Sequence, residues 1–191
     1  FYNLVDTWFA GRISAEAIAA IAKSFPIYFT IIAIGVGLTA GTNTLIGNNI
    51  GANNKKKASL FVAQSIIFAI FLSILVTFFG LNVSDFLLSV MGSDQEGINL
   101  TRKYLDIIFY GTIIVLIQIS LNGTLNAQGD TKSYRNVLIF SFFLNIFLNP
   151  LFIFGYGFVP AFGIAGLAIA TVVAQFVGLL YLAYKVYCCE L

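Results

Sequence analysis

Residues 58–80 read ASLFVAQSIIFAIFLSILVTFFG, a run of 23 amino acids without one charged side chain. A helix needs about 20 apolar residues to cross a bilayer, and this run lacks the alternation of a barrel strand. The rest of the chain has the same character: 59% of its residues are hydrophobic, 9% are charged, and the mean hydropathy is +0.94. Because backbone polar groups in lipid must pair within their own segment, the sequence predicts an all-α integral membrane protein.

Further apolar segments lie on both sides of this run. We expect a partial span at residues 1–11 and further spans at 15–50, 58–80, 98–122, 134–156 and 164–187. Ser14, followed by Glu16, predicts the N-cap and acidic first turn of the second helix. Since the chain begins at Phe1 with a short segment, we expect a truncated first helix and a piece of a longer protein. The prediction is a six-helix transmembrane bundle.

The basic residues predict the orientation of the bundle. If the spans alternate, one membrane side receives Lys55, Lys56, Lys57, Lys132, Arg135 and Lys185. Basic loops are enriched on the cytoplasmic side, so we expect loops 51–57 and 126–135 to be cytoplasmic in a multi-pass protein of the cell membrane. The net charge of +2 is small and the basic residues are scattered, which argues against a nucleic-acid partner.

Asp6 is the acidic residue that stands inside an apolar helix, well away from its end. An ionised carboxylate in the hydrocarbon region is costly unless it faces a cavity or a partner, so a functional role is favoured. By the predicted topology it lies about 7.5 Å below the outer end of the first helix. The alternative is an interfacial carboxylate beside Trp8, which would belong to an aromatic belt.

The fifth span carries a polar stripe in an otherwise apolar segment. Ser141, Asn145 and Asn149 follow one another at four-residue intervals, which places them on one helix face. Pro150 lacks an N–H and leaves the carbonyl of Ile146 without its helical donor, so we expect a kink and a group of oxygens that suits a cation. The alternative is that the amides simply join neighbouring helices, for about 0.6 kcal/mol each.

Other polar residues are weaker candidates. Gln118 and Asn122 share a face of the fourth span, and Thr171 and Gln175 share one of the sixth. We expect Gln118, Asn122 and Gln175 to line a cavity. Pro26 predicts a kink in the second span.

Small residues predict close helix contacts. Gly166, Ala170, Ala174 and Gly178 form a stripe at four-residue spacing on the sixth span. Gly37 and Gly41 repeat that spacing on the second, and we assign both sets to packing.

The sequence does not predict an enzyme. It contains no His, no metal-ligand cluster, no paired buried carboxylates and no phosphate-binding loop, so we expect no cofactor. Any proton coupling within the chain must then use a carboxylate, which again favours Asp6.

Several stretches resemble one family, the MATE (multidrug and toxic compound extrusion) transporters. Asn3-Leu4-Val5-Asp6-Thr7 is similar to the end of that family's first helix. The turn from Leu125 to Lys132, the stretch from Asn145 to Pro150 and residues 163–171 resemble the family in the same order. The resemblance covers nearly the whole chain.

The resemblance implies a protein of twelve spans in two lobes, of which this chain is the N-terminal one, with a C-terminal lobe as partner. It implies export of cationic or amphiphilic compounds in exchange for H⁺ or Na⁺. It also implies an ion-coupling site formed by Asp6, Asn145, Asn149 and Thr171, for which drug and ion compete. Some branches have Asp where this chain has Asn149, so Na⁺ binding there becomes less certain and proton coupling is favoured.

Two other functions remain open at this stage. A flippase of lipid-linked saccharides would share the helical architecture, although such proteins carry more basic residues in their cavity. A membrane scaffold or helical channel would need no ion coupling at all.

Overall fold

The computed structural model describes residues 2–156 and 159–188; the predicted span start at Phe1 and loop start at Gly157 lie outside them. The described residues form six α-helices: α1 Tyr2–Ile13, α2 Ala15–Gly51, α3 Lys55–Val90, α4 Gln95–Ala127, α5 Lys132–Phe154 and α6 Ile164–Tyr187. All except α1 are long and apolar enough to cross a membrane. The predicted six-helix membrane bundle is confirmed.

Side-chain hydrogen bonds cap the N-termini of several helices. The oxygens of Ser14, Asn54 and Asp94 accept hydrogen bonds from backbone N–H groups of the first turns of α2, α3 and α4. Each cap satisfies a donor that has no partner within its helix, so very short turns suffice between long helices.

The side chain of Asp130 stabilises the first turn of α5 in a similar way. Its carboxylate accepts hydrogen bonds from the Ser133 hydroxyl at 2.5 Å and from two backbone N–H groups. The Ser133 hydroxyl first, and then these N–H groups and the charge of Lys185, hold the pKa of Asp130 below its usual value. The start of α5 and the end of α6 therefore lie at the same end of the bundle.

Most helices differ in their ends from the spans expected from hydropathy. α3 continues ten residues past the predicted end at Gly80, α4 covers Gln95–Ala127 instead of 98–122, and α1 ends at Ile13 instead of Gly11. α5 covers Lys132–Phe154 instead of 134–156, and α2 ends one residue later than expected. Hydropathy detects the part of a helix that lies in hydrocarbon, whereas a polar end such as the turn around Asp85 can remain helical in the headgroup region. Gly80 was expected to begin a loop but packs against the ring of Phe109.

α4 is the centre of the bundle. In the most apolar stretch of α4, 67% of the residues are buried, whereas in that of α3 only 11% are. Most phenylalanines of α3 point outward. Leu105 and Phe109 pack with α1, α2 and α6 in the outer half, and Leu121 and Leu125 pack with α5 and α6 in the inner half.

Glycines permit the closest helix contacts, although not all of the predicted ones do. The stripe from Gly166 to Gly178 is buried, and a Cβ on Gly166 would meet the carbonyl oxygen of Phe152, so this packing prediction is confirmed. The prediction was wrong for Gly37 and Gly41, where a Cβ would meet nothing within 4 Å. These two glycines border an open cleft instead.

Candidate functional site

Asp6 is completely buried although α1 is the shortest helix. Its exposed fraction is 0%, while Trp8, two residues later, is 55% exposed. Trp8 packs its ring against the guanidinium of Arg12, 4.1 Å from the ring centroid. The interfacial alternative for Asp6 is therefore wrong, because its side chain points into the bundle and that of Trp8 points outward.

Three side chains donate hydrogen bonds to the Asp6 carboxylate. The Thr171 hydroxyl donates to Oδ2 at 3.1 Å, the Asn149 amide to Oδ1 at 3.3 Å and the Tyr104 hydroxyl to Oδ2 at 3.4 Å. No basic side chain of the described residues lies within ion-pair distance of Asp6. In the described part of the chain, the hydrogen-bond donors around the carboxylate are therefore all uncharged side chains.

Asn145 connects the other members of this cluster. Its amide donates to the Thr171 hydroxyl at 3.0 Å, and its Oδ1 accepts a hydrogen bond from Asn149 at 3.1 Å. Both asparagines are completely buried, which requires that their polar atoms be paired. One atom is an exception: Oδ1 of Asn149 has no hydrogen-bond partner. The structure therefore brings together all four residues of the predicted site.

The cluster also has a member that sequence reasoning missed. Tyr104 is 3% exposed and reaches Asp6 from α4. It follows Lys103 directly and precedes Asp106 by two residues, so it resembles an interfacial residue in sequence. The available signal was its hydroxyl, since a buried Tyr normally requires a hydrogen-bond partner.

Three helices place residues of the cluster at a similar depth. Asn149 precedes the end of α5 by five residues, Thr171 follows the start of α6 by seven, and Asp6 precedes the end of α1 by seven. At 1.5 Å per residue, these residues lie about 7.5 to 10.5 Å from the ends opposite the basic loops. The cluster lies within the outer half of the bundle.

A cavity of about 660 Å³ lies between α2, α4, α5 and α6. Gln118 and Gln175 line it as predicted, together with aromatic rings and one basic side chain; Asn122 is not among its described lining residues. Of its lining residues, Gln175 has a buried Oε1 without a hydrogen-bond partner. The cavity therefore combines apolar walls with a few polar side chains, as small-molecule sites do.

Both predicted kink residues lie inside continuous helices. Pro26 is in α2 and Pro150 is in α5, directly after Asn149. Thr30 donates a hydrogen bond to the carbonyl of Pro26 at 3.0 Å. Whether these prolines act as hinges stays a prediction.

The family model MatE matches residues 1–151 of the chain. The chain belongs to the MatE family. Proteins of this family are multi-pass transporters of the plasma membrane and not enzymes, so these two predictions are confirmed. The predicted resemblance of the chain to this family is confirmed with it.

The relatives differ in what their names say they carry. The chain is 30% identical over 178 residues to a protein of Shewanella oneidensis named "FAD transporter", covering 93% of this chain and 39% of that protein. It is 31% identical over 174 residues to the "Probable multidrug resistance protein YoeA" of Bacillus subtilis, covering 90% and 37%.

A solved structure shows the same architecture. The inward-facing conformation of a multidrug resistance MATE family transporter of the MOP superfamily matches with a TM-score of 0.91 and 31% identity. The match covers 99% of this chain and 42% of that one. This chain thus spans about two fifths of the length of the proteins it matches.

Proposed function

We propose that this chain is the N-terminal lobe of a secondary transporter that exports cationic or amphiphilic compounds by antiport with H⁺ or Na⁺. The observation that carries the proposal is the buried carboxylate of Asp6 with three donors and no basic partner among the described residues. A carboxylate within a membrane protein that lacks a fixed counter-ion is suited to bind and release a mobile one.

The oxygens around Asp6 suit a small monovalent cation as well as a proton. Asp6 supplies two oxygens, Thr171 a hydroxyl, and Asn149 a carbonyl oxygen that has no hydrogen-bond partner. Hard cations prefer oxygen ligands of this kind. With a neutral Asn149, the cluster holds one negative charge, which one H⁺ or one Na⁺ neutralises. We favour H⁺, because a second carboxylate is absent from the cluster.

The burial of Asp6 changes how coupling works in this proposal. Sequence reasoning suggested that drug and ion compete directly for the carboxylate, yet Asp6 has no exposed surface that a bulky compound could contact. The ion therefore acts through packing: neutralising Asp6 weakens its hydrogen bonds to α5 and α6, and these helices border the cavity. A shift near Pro150 would then alter the cavity, so each state of the carboxylate favours a different conformation.

The cavity suggests the substrate class. Its aromatic and aliphatic walls suit a flat, partly apolar compound, and the glutamines can position polar groups of that compound. A second candidate is an anionic flavin-like compound, because Arg135 also lines the cavity and a 30% identical relative is named an FAD transporter. Direct comparison of a cationic dye with a flavin nucleotide distinguishes the two.

The partner in this proposal is a second lobe of the same polypeptide. The matched proteins are more than twice as long as this chain, and the predicted architecture has two lobes.

The full-length polypeptide reconstituted in liposomes tests the proposal. We expect export of a cationic dye when either a pH gradient or a Na⁺ gradient is imposed, and none without a gradient. Asp6→Asn should abolish gradient-driven export and leave the melting temperature nearly unchanged. Asp106→Asn is the matched control, because Asp106 lies outside the cluster beside Arg102.

Two results would contradict the proposal. Unchanged gradient-driven export by Asp6→Asn would remove Asp6 from the coupling site. Export that needs no gradient would identify a channel and not an antiporter.

A further inference from the structure

A cleft between α2 and α3 runs along the bundle. Its inner half has a volume of about 800 Å³ and its outer half about 620 Å³, and Ile34 and Leu72 line both. On α2, Tyr28 and Ile32 line the central cavity, whereas Gly37 lines the cleft on the opposite face of the helix. The cleft is therefore separate from the cavity considered above.

The inner half of the cleft is as long as one leaflet. It extends from Leu45 to Ile34 along α2 and from Phe61 to Leu72 along α3, which is 11 residues on each helix. At 1.5 Å per residue this is about 16 Å, close to half of the roughly 30 Å hydrocarbon thickness. An acyl chain of one leaflet fits this length.

The walls of the inner half are apolar and leave space for a chain. Phe61, Phe68 and Phe71 line the α3 side. On the α2 side, Gly37 and Gly41 have nothing within 4 Å of where a Cβ would lie. Among the helices long and apolar enough to cross a membrane, α3 is the least buried by the described residues, so much of its surface is open to lipid. Lipid is therefore a candidate occupant of the cleft.

A lysine stands at the inner mouth of the cleft. Phe61, Gln64, Phe68 and Phe71 follow Lys57 by 4, 7, 11 and 14 residues, so all five lie on one face of α3. Lys57 is therefore the basic residue of the first turn of α3 that lies in line with the cleft.

The charges differ between the two ends of the cleft. At the inner end, Lys55, Lys56 and Lys57 form the first turn of α3, which contains no acidic residue. At the outer end, Asp94 and Glu96 lie at the start of α4, and Lys23 of α2 precedes the lining residues Ile27 and Thr30. Basic clusters next to membrane helices attract anionic headgroups, by about 1 kcal/mol per basic residue. The inner end, with three lysines and no acidic residue in that turn, therefore favours an anion more than the outer end does.

We propose that the inner half of the cleft between α2 and α3 binds an anionic phospholipid of the leaflet that faces the basic loops. Its phosphate contacts Lys57, and one acyl chain lies between Gly41 and the phenylalanines of α3. The occupant is a lipid because the site joins an anion-binding mouth to an apolar channel of one-leaflet length. A soluble phosphate would use the mouth only.

Native mass spectrometry of the delipidated full-length polypeptide tests the site by titration with phosphatidylglycerol and phosphatidylcholine. We expect tighter binding of phosphatidylglycerol. Lys57→Gln should weaken that binding about fivefold, the factor that corresponds to about 1 kcal/mol. Lys132→Gln, which removes the same charge on the same side but away from the cleft, should leave it unchanged. Glycerol 3-phosphate, a headgroup without acyl chains, should not displace the lipid.

A second variant tests the apolar part of the site. Gly41→Leu places a side chain in the cleft, where its Cβ has nothing within 4 Å, and should weaken phosphatidylglycerol binding with all lysines intact. Gly51→Leu, at the end of α2 and outside the cleft, is its control. If Lys57→Gln and Lys132→Gln weaken the binding equally, the lipid is attracted by the general surface charge and not by a site at Lys57. An unaffected Gly41→Leu would show that no chain enters the cleft, as would be the case if a second lobe covered it. Either result overturns the proposal.

Discussion

The Thr171 hydroxyl donates a 3.1 Å hydrogen bond to the carboxylate of Asp6, across 165 residues of sequence. The same hydroxyl accepts a hydrogen bond from Asn145 at 3.0 Å. One oxygen atom therefore joins α1, α5 and α6 in the outer half of the bundle. A cation or proton that binds an oxygen of Asp6 must alter the hydrogen bond between Thr171 and Asp6. Ion binding and helix packing are therefore linked at Thr171.

Thr171→Val should separate the polar role of this residue from its shape. Valine keeps the branched shape, but it removes the partner of the Asn145 amide and leaves Oδ2 of Asp6 with Tyr104 as its donor, and an unpaired buried donor typically costs about 1–3 kcal/mol. We expect a lower melting temperature and weaker ion dependence of transport. Thr171→Ser retains the hydroxyl and should restore the ion dependence. Equal ion dependence of the valine and serine variants would show that the hydroxyl is not part of the site.

Asn149→Asp should change the preferred ion. The amide of Asn149 lies 3.3 Å from Asp6, so an aspartate there places two carboxylates side by side in a buried cluster. Like charges repel unless a cation lies between them, and Na⁺ becomes a better neutraliser than in the native protein. We expect an increase in the Na⁺ affinity of about tenfold or more, measured as the Na⁺ concentration that gives half-maximal dye export at fixed pH. Export that stays independent of Na⁺ would show that Asn149 does not contact the ion.

Tyr104→Phe should weaken the positioning of Asp6 with little effect on the fold. The hydroxyl of Tyr104 donates to Asp6 at 3.4 Å, a long bond, so its loss should cost about 0.5–1.5 kcal/mol. We expect a changed pH profile of transport and a nearly unchanged maximal rate. Tyr110→Phe is the control on the same helix, because Tyr110 is 67% exposed to the lipid. If both variants shift the pH profile alike, Tyr104 has no specific role.

The fold was predictable because hydropathy reports directly on the bilayer. The uncharged run at residues 58–80 and its neighbours identified each span, and caps such as Ser14 marked helix starts. Helix ends in the headgroup region were not predictable, because that region allows both helix and loop. Asp85, for example, was expected in a loop but remains in α3, where it forms a 2.8 Å ion pair with Arg102.

The candidate site was predictable in its members but not in its geometry. Asp6 and Asn149 attract notice because polar side chains in an apolar segment require partners. Which partners they find depends on helix packing, and sequence spacing within one helix does not contain that information. The unpaired Oδ1 of Asn149, the contribution of Tyr104 and the complete burial of Asp6 emerged only in three dimensions.

Gly166 and Gly37 each precede another small residue by four positions, but substitution with alanine should change the stability of the protein differently at the two sites. Gly166→Ala places a Cβ against the carbonyl oxygen and carbon of Phe152, so α5 and α6 must separate, and overpacking of this kind typically costs about 1–3 kcal/mol. Gly37→Ala meets nothing within 4 Å and gains helix propensity, so it should be neutral or slightly stabilising. Thermal unfolding of the full-length polypeptide in detergent measures both.

Because Gly166 lies about one and a half turns before Thr171, the separation of α5 and α6 should also disturb the contact of Thr171 with Asp6. We therefore expect Gly166→Ala, but not Gly37→Ala, to reduce ion dependence of transport together with stability. Equal melting temperatures of the two variants would show that α5 and α6 are packed less closely than described.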